Sequence, residues 1–298
     1  MNGKSFQPLL NNAVICSLTL NKFSNTFSVN LTSILFTFSV PLANLLSQVK
    51  VLVDTSDGMK PRDWIGSTFS HSNASMFTII PELKRTEPRK GALRARYSPS
   101  RLVEEFSGVA SSLSINSDGV VFGGSLDISA VRTATSLPIL ISDLILYPYQ
   151  LYQLRLKGAD AVSFIAAALS PKDLVYLTKI ASSLGLQSVV SVTSEVQLER
   201  IISGSAVSIA ALVVSNRNWE DFSVDESGQQ ALKLLQSDTM ASFRLKFPDV
   251  PILVDGHVGL IQEKGSAVGY ILSLKQAGAR GAIVGSALAA GKISDLVI

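Results

Sequence analysis

Two charged residues at the end of an apolar run, Glu82 and Lys84, are the first candidates for chemistry in this sequence. They follow residues 76–80, MFTII, which suit a buried strand. Since side chains alternate along a strand, a strand ending here places both charges on one face. In parallel α/β proteins, sites are built at the carboxyl ends of the strands. The spacing predicts a functional site at this strand end, and a surface ion pair is the alternative.

The same stretch, residues 81–91 (PELKRTEPRKG), continues with further charges, among them Arg89 and Lys90. The whole chain has 26 basic and 23 acidic residues, a formal net charge of +3, spread along its length. This balance does not indicate a nucleic-acid partner. A small anionic ligand needs only a local patch of this kind.

Eight short apolar runs alternate with helix-like stretches, the pattern of repeated βα units around a parallel sheet. Runs without polar alternation are typical of parallel strands buried on both faces. The pattern predicts an α/β protein, a (β/α)8 TIM barrel, with an open doubly wound sheet as the alternative. The predicted strands are 76–82, 111–115, 137–142, 161–165, 188–192, 210–214, 252–255 and 282–285.

Helices are predicted between these strands, at 99–109, 171–184 and 195–202. Ser170 and Ser194 precede two of them and suit the N-cap position. Gly158, Gly185 and Gly278 stand where helices are expected to stop. After Gly285 only 13 residues remain, which predicts a short last helix.

The first fifty residues differ in composition from the rest. Residues 1–53 contain no Asp or Glu and many Ser, Asn and Thr, which is typical of an organelle transit peptide, although such peptides usually contain more Arg. We predict that residues 1–56 are a transit peptide and linker outside the fold, and that residues 57–298 form the barrel. The predicted location is the plastid stroma, with the cytoplasm as the alternative. A membrane anchor is also open, because residues 23–49 carry no charge.

Cysteine and histidine are too scarce for a metal centre built from them. The chain has one cysteine, Cys16, and two histidines, His71 and His257. A single cysteine excludes an intrachain disulfide framework and a cysteine-built zinc site. We therefore predict no metal.

Seven motifs, in this order and spacing, resemble indole-3-glycerol-phosphate synthase between about residues 62 and 290. No single motif is specific, but the ordered set is. The resemblance implies a (β/α)8 barrel that needs no cofactor and closes the ring of a carboxyphenylamino deoxyribulose phosphate with loss of carbon dioxide and water. The motifs are residues 82–91 (ELKRTEPRKG), 122–126 (FGGSL), 137–143 (LPILISD), 149–150 (YQ), 157–160 (KGAD), 215–219 (SNRNW) and 284–286 (VGS).

The resemblance assigns roles to the positions that match. Glu82 and Lys84 fall on the catalytic Glu and Lys of the family's first strand. The phosphate-binding turn matches Gly285 and Ser286, with Arg89 and Lys90 as nearby cations and a simple strand-to-helix turn as the alternative. The implied substrate-binding residues are Phe122, Arg217 and Asp255.

Several positions depart from the family pattern. Ser142 stands at the catalytic Lys of the third strand, and Ser191 at the Glu of the fifth. Ser215 replaces an Asn that the adjacent Asn216 could partly supply. Glu87 replaces a phosphate-side Ser and opposes a dianion unless nearby cations offset it. Since Ser cannot exchange protons near neutral pH as Lys and Glu do, impaired ring closure is predicted.

Three hypotheses remain. The first is a working synthase with unusual residues. The second is a catalytically degenerate barrel that binds a phosphorylated metabolite or a protein partner. The sequence does not indicate which protein that partner would be. The third hypothesis is a different lyase or isomerase that recruits Lys84, Asp143, Asp255 or His257. Only fold analogy allows the third.

Overall fold

The apolar runs form the strands of a parallel barrel. The computed structural model describes residues 60–69, 76–93, 96–106, 108, 110–118, 127–204, 207–261 and 266–289. Within them the strands are β1 (Thr78–Leu83), β2 (Thr86–Glu87), β3 (Gly91–Ala92), β4 (Leu113–Ile115), β5 (Ile139–Ile141), β6 (Ala161–Ile165), β7 (Gln187–Val192), β8 (Ala211–Ser215), β9 (Ile252–Asp255) and β10 (Gly281–Val284).

Eight of these strands close into a ring in the order β1-β10-β9-β8-β7-β6-β5-β4. Strand β1 pairs in parallel with β10 on one side and with β4 on the other, which completes the barrel. The (β/α)8 barrel is therefore confirmed, and the open sheet is excluded. Strands β2 and β3 form a separate antiparallel hairpin directly after β1.

Helices connect the strands as the sequence predicts. Pro171 in the first turn and Ser170 at the N-cap start helix α5 (Pro171–Ser183), and the Ser170 hydroxyl accepts from the Asp173 N–H. Gly185 follows α5 with φ +73°, a conformation that glycine adopts without a steric penalty. The helices are α1 (Trp64–Thr68), α2 (Pro99–Phe106), α3 (Asp127–Ala134), α4 (Pro148–Leu156), α5 (Pro171–Ser183), α6 (Glu195–Ser203), α7 (Gln229–Leu235), α8 (Asp238–Lys246), α9 (Ala267–Gln276) and α10 (Ser286–Ala289).

The inside of the barrel is apolar toward the amino ends of the strands. Alternate strand residues form one buried cluster with Trp64 of α1, which is fully buried. Asp160, just before β6, accepts from the Arg62 N–H at 2.8 Å and pairs with Arg132 at 3.0 Å. The segment before β1 is thus tied to the barrel. The inner cluster comprises Trp64, Ile80, Leu140, Ala161, Val189, Ala211, Val213, Leu253 and Ile283.

Two residues further along most of these strands, the inward-facing side chains become polar or absent. Strand alternation puts them on the same face as the inner cluster. The carboxyl end of the barrel is therefore its polar end, where sites of this fold are built. These residues are Glu82, Ser142, Ser163, Ser191, Ser215, Asp255 and Gly285.

Some predictions fall on residues that the structure does not describe. Residues 1–56 lie outside the described ranges, and so does Phe122. No helix in the described ranges is long and apolar enough to cross a membrane.

Candidate functional site

Glu82 and Lys84 meet at the carboxyl end of β1. Lys84 Nζ lies 3.1 Å from Glu82 Oε2, and the two side chains are only 9% and 13% exposed. A Cβ built on Gly285 would lie 2.5 Å from Glu82 Oε2 and 2.8 Å from Lys84 Cε. The backbone of Gly285, at the end of the neighbouring β10, thus packs directly against this pair. Three of the residues that the sequence singles out lie together.

A second cluster is organised by Glu87, on β2 of the hairpin. Its carboxylate is buried and accepts from the Arg217 guanidinium at 2.6 Å and from His257 Nε2 at 2.7 Å, both on Oε1. The Ser286 hydroxyl donates to Oε2 at 2.9 Å. One carboxylate therefore joins the ends of β8, β9 and β10.

Glu87 is ionised in this cluster. Burial by itself raises the pKa of a carboxyl group, but the His257 hydrogen bond, the Lys84 charge and the Arg217 hydrogen bond hold the pKa of Glu87 well below its usual range. A carboxylate only accepts hydrogen bonds, so His257 Nε2 carries a hydrogen and donates it to Glu87. Lys90 Nζ, 3.2 Å from the same nitrogen, then serves as a nearby positive charge.

Arg217 is fixed by local geometry as well as by charge. It follows β8, its backbone N–H donates to the Ser215 hydroxyl at 3.1 Å, and Nη1 donates to the Phe222 carbonyl at 3.0 Å. The residue is 7% exposed. The backbone and the guanidinium of Arg217 are therefore both fixed, which orients the guanidinium toward Glu87.

Asp255, at the end of β9, has a perturbed acidity. Burial raises the pKa of its carboxyl to about 6, with a further rise from the charge of Glu82. Ser215, Arg217 and Lys84 act in the opposite direction but do not cancel burial. Strand pairing sets Ser215 beside Asp255. A carboxyl group with this pKa is mostly ionised at neutral pH and takes up a proton in mildly acidic solution.

Replacing Asp255 with Asn is expected to change the pH dependence of stability. A carboxyl whose pKa is raised in the folded state stabilises the protein below its unfolded value of 3.8, and this contribution is lost as pH rises through 6. The D255N variant should be more stable than the unmodified chain at pH 8, by up to about 3 kcal/mol, and should lose that advantage near pH 4.

Urea unfolding at both pH values measures this difference. Asp249→Asn, at an exposed position, is the control and should show no such pH dependence. Equal effects of D255N at the two pH values would contradict the assignment.

Ser142 and Ser191 stand on the inner face beyond Leu140 and Val189. The Ser142 and Ser114 hydroxyl oxygens are 2.8 Å apart. Ser191 is buried, and its hydroxyl has no hydrogen-bond partner among the described residues. A serine hydroxyl does not ionise near neutral pH, so neither group exchanges protons there as a Lys or Glu side chain does.

Two other polar residues at this end serve the fold. Asp143 accepts from the Ser117 N–H at 2.6 Å and from the Asp118 N–H at 3.1 Å, and so holds the loop after β4. Burial raises its pKa to about 7. Asn216 is fully buried and donates to the Tyr270 hydroxyl at 3.0 Å.

Asn216 therefore does not replace the inward group at Ser215. Its side-chain oxygen accepts from the Ala231 N–H at 3.1 Å, and its amide also donates to the Gly256 carbonyl at 3.3 Å. The expectation that it compensates is wrong, because adjacent strand residues point to opposite faces.

Of the two cations predicted near the phosphate, Lys90 lies at the Glu87 cluster and Arg89 lies at the surface. Lys90 lies beside His257, whereas Arg89 is 60% exposed and pairs with Asp221, with Nη1 3.5 Å from Oδ2. Arg89 thus contacts the loop after β8, which carries Asp221, at the surface of the protein.

Sequence reasoning missed the position of Glu87 at the centre of the site. It predicted only that this carboxylate opposes an anion unless Arg89 and Lys90 offset it. The partners that bind it are Arg217, His257 and Ser286. These come from three distant strands, so no local signal could reveal them.

Fold and site together are those of a (β/α)8-barrel protein with an ionisable site at the carboxyl end of the barrel. Ionisable groups from β1, β2, β8 and β9 meet the start of α10 at the carboxyl end of a parallel barrel, the face at which enzymes of this fold keep their active sites. The comparisons with known proteins identify the family within this class.

The family model for indole-3-glycerol phosphate synthase matches residues 50–242. The protein of that name from Rippkaea orientalis is 33% identical over 253 residues, 84% of this chain and 78% of the relative. The one from Acaryochloris marina is 35% identical over 212 residues, 70% of this chain and 65% of the relative. The one from Crocosphaera subtropica is 40% identical over 148 residues, about half of each chain. The chain belongs to the indole-3-glycerol phosphate synthase family.

Solved structures also align with this chain. A structure of the tryptophan synthase a2b2 complex from Pyrococcus furiosus covers 71% of this chain and 88% of its own, at 17% identity and a TM-score of 0.48.

Proposed function

We propose that this chain binds a phosphorylated ligand of the indole-3-glycerol phosphate synthase type at the carboxyl end of its barrel and closes the indole ring poorly or not at all. Family membership supports the binding function. The proposed loss of turnover rests on Ser142 and Ser191, which lie on the inner face of the barrel at positions where the resemblance implies a Lys acid and a Glu base.

The chemistry of the family explains why these two positions decide the outcome. The substrate carries a carboxylate that leaves as carbon dioxide and a carbonyl and hydroxyl that must receive protons. An acid and a base must therefore face each other across the ligand. Removing one such group typically costs roughly 10²- to 10⁴-fold in rate, and removing two that act as a unit is not additive.

The remaining polar residues support binding. We assign Lys84, paired with Glu82, to the carboxylate of the ligand and to any residual proton transfer. Arg217 and Asp255 are proposed to contact the ligand, Asp255 at the sugar part and Arg217 at the phosphate end, where it shares Glu87 with Ser286. In our proposal Phe122 contributes an aromatic face after the second barrel strand.

The phosphate end is assigned to Gly285 and Ser286, with Lys90 and Arg89 supplying positive charge. Backbone N–H groups at the start of a helix point toward a bound anion. Arg89 would have to exchange Asp221 for the phosphate, which is inexpensive because exposed ion pairs contribute little to stability.

A second candidate is a barrel that only binds a metabolite or a protein partner. The observation that favours it is the engagement of Arg217, His257 and Ser286 by Glu87, a group of the protein itself. Such a site is filled without a substrate.

Calorimetry of the full chain with indole-3-glycerol phosphate tests the proposal. We expect binding in the micromolar to millimolar range, with a matching rise in the unfolding temperature. No binding at millimolar concentration by a folded protein would remove the site from consideration and leave the protein-partner alternative.

The location we propose is the plastid stroma, with residues 1–56 removed or left outside the fold. The acid-free, hydroxyl-rich composition of residues 1–53 supports it, and the cyanobacterial relatives are compatible with it. Mass spectrometry of the endogenous protein is expected to find a mature amino terminus between residues 30 and 60. An intact Met1, or peptides from residues 23–49 in a membrane fraction, would contradict this.

A further inference from the structure

The Glu87 carboxylate already accepts the hydrogen bonds that Arg217, His257 and Ser286 could donate to an anionic ligand. Arg217 and His257 donate to one of its oxygens, and Ser286 donates to the other. The three donors come from three different strand ends and converge on one carboxylate that is 3% exposed. In this state the protein itself supplies the anion of this site.

Removing that one negative charge would leave a cluster of positive charge at this end of the barrel. Arg217 carries a fixed charge and is 7% exposed, while Lys84 and Lys90 both lie close to the cluster. Arg217 would keep its hydrogen bond to the Phe222 carbonyl, but a buried guanidinium without a counter-charge is strongly unfavourable. The site without Glu87 therefore favours any small anion of suitable shape, and a phosphate offers several acceptor oxygens.

Glu87 lies on a short hairpin that has few side-chain contacts with the barrel. It is a hairpin of two two-residue strands, β2 and β3, and Gly91, Ala92, Arg89 and Lys90 on it are exposed. Apart from Glu87, its described side-chain ties to the barrel are Lys90 to His257 and Arg89 to Asp221. Withdrawing Glu87 requires a local movement of this hairpin and leaves the barrel strands in place.

We infer that Glu87 is an internal ligand that competes with phosphate for Arg217, His257 and Ser286, so that its withdrawal with the β2–β3 hairpin precedes phosphate binding. Glu87 thereby sets which anions this barrel accepts. The inference rests on the proposed function, because both place a phosphate in the same site.

The test is titration of the full chain with inorganic phosphate, by calorimetry and by thermal unfolding. Glu87→Ser removes the competing carboxylate and shortens the side chain. Glu87→Gln removes the charge but keeps the side-chain volume and an oxygen that can accept from Arg217. The matched control is Glu220→Gln, an exposed glutamate in the loop that follows Arg217, which changes the formal charge by the same amount.

We expect Glu87→Ser and Glu87→Gln to bind phosphate at least about tenfold more tightly than the unmodified chain, since an apparent affinity scales with the fraction of open sites. Glu220→Gln should bind as the unmodified chain does. Phosphate should also raise the unfolding temperature of the Glu87 variants by more than that of the unmodified chain, because it replaces the lost partner of Arg217.

Two other outcomes overturn the inference in different ways. If the Glu87 variants bind phosphate no better than an unmodified chain that does bind it, Glu87 is not a competitor, and the proposed function stands. If none of the folded proteins binds phosphate, the inference and the proposed phosphate site fall together. Should Glu87→Ser fail to fold, Glu87→Gln gives the same comparison with the packing preserved.

Discussion

A chain carrying both Ser142→Lys and Ser191→Glu is expected to close the indole ring at least about 100-fold faster than the unmodified chain. The two serines stand on the inner face beyond Leu140 and Val189, where proton transfer to and from a ligand would occur. An amine and a carboxylate there supply the acid and the base that hydroxyl groups cannot. Steady-state formation of indole-3-glycerol phosphate by the full-length variants measures the gain.

The two changes should act together. Because acid and base work on the same substrate, the double variant is expected to exceed the sum of the single ones, and a double-mutant cycle isolates this coupling. Lys84→Met in the doubly substituted background should abolish the gain, whereas Lys90→Met should only weaken binding. Equal activity of the double variant and the unmodified chain, with both proteins folded and ligand bound, would contradict the assigned roles.

Ser286→Asp is expected to abolish binding of phosphorylated ligands and to lower stability substantially. The Ser286 hydroxyl lies 2.9 Å from Glu87 Oε2, so an aspartate there brings two carboxylates together in a buried site. Two like charges about 4 Å apart repel by about 4 kcal/mol at the effective dielectric of such a site. Calorimetry with indole-3-glycerol phosphate and urea unfolding measure the two effects.

Ser286→Ala is the matched control. It removes the hydroxyl without adding charge, so it should cost about 1 kcal/mol of stability and only weaken binding. Retention of normal ligand affinity by Ser286→Asp would show that the start of α10 is not part of the binding site.

The fold could be predicted from sequence because its signals are local. Each barrel strand is a short apolar run, and the turn residues between runs have fixed conformational preferences. Ser170 caps α5, and Gly185 adopts the positive φ that ends it, as the sequence predicts. Three predicted strands, 76–82, 111–115 and 137–142, begin two residues before the observed ones, because apolar character alone does not show where pairing with a neighbour begins.

The site was less predictable because its geometry depends on contacts between distant segments. The Glu82 and Lys84 pair follows from strand alternation within a single strand, so local sequence is enough. Glu87 and Ser286 are 199 residues apart, and no spacing rule brings them together. Asn216 was misjudged for a related reason: proximity in sequence to Ser215 does not mean that both side chains face the same way.

The most direct test of the central claim is steady-state turnover of the carboxyphenylamino deoxyribulose phosphate by the full, unmodified chain. The protein is expected to bind the ligand and to form little or no indole-3-glycerol phosphate, because Ser142 and Ser191 cannot serve as acid and base. Turnover at roughly 1 to 10 per second, ordinary for enzymes, would contradict it.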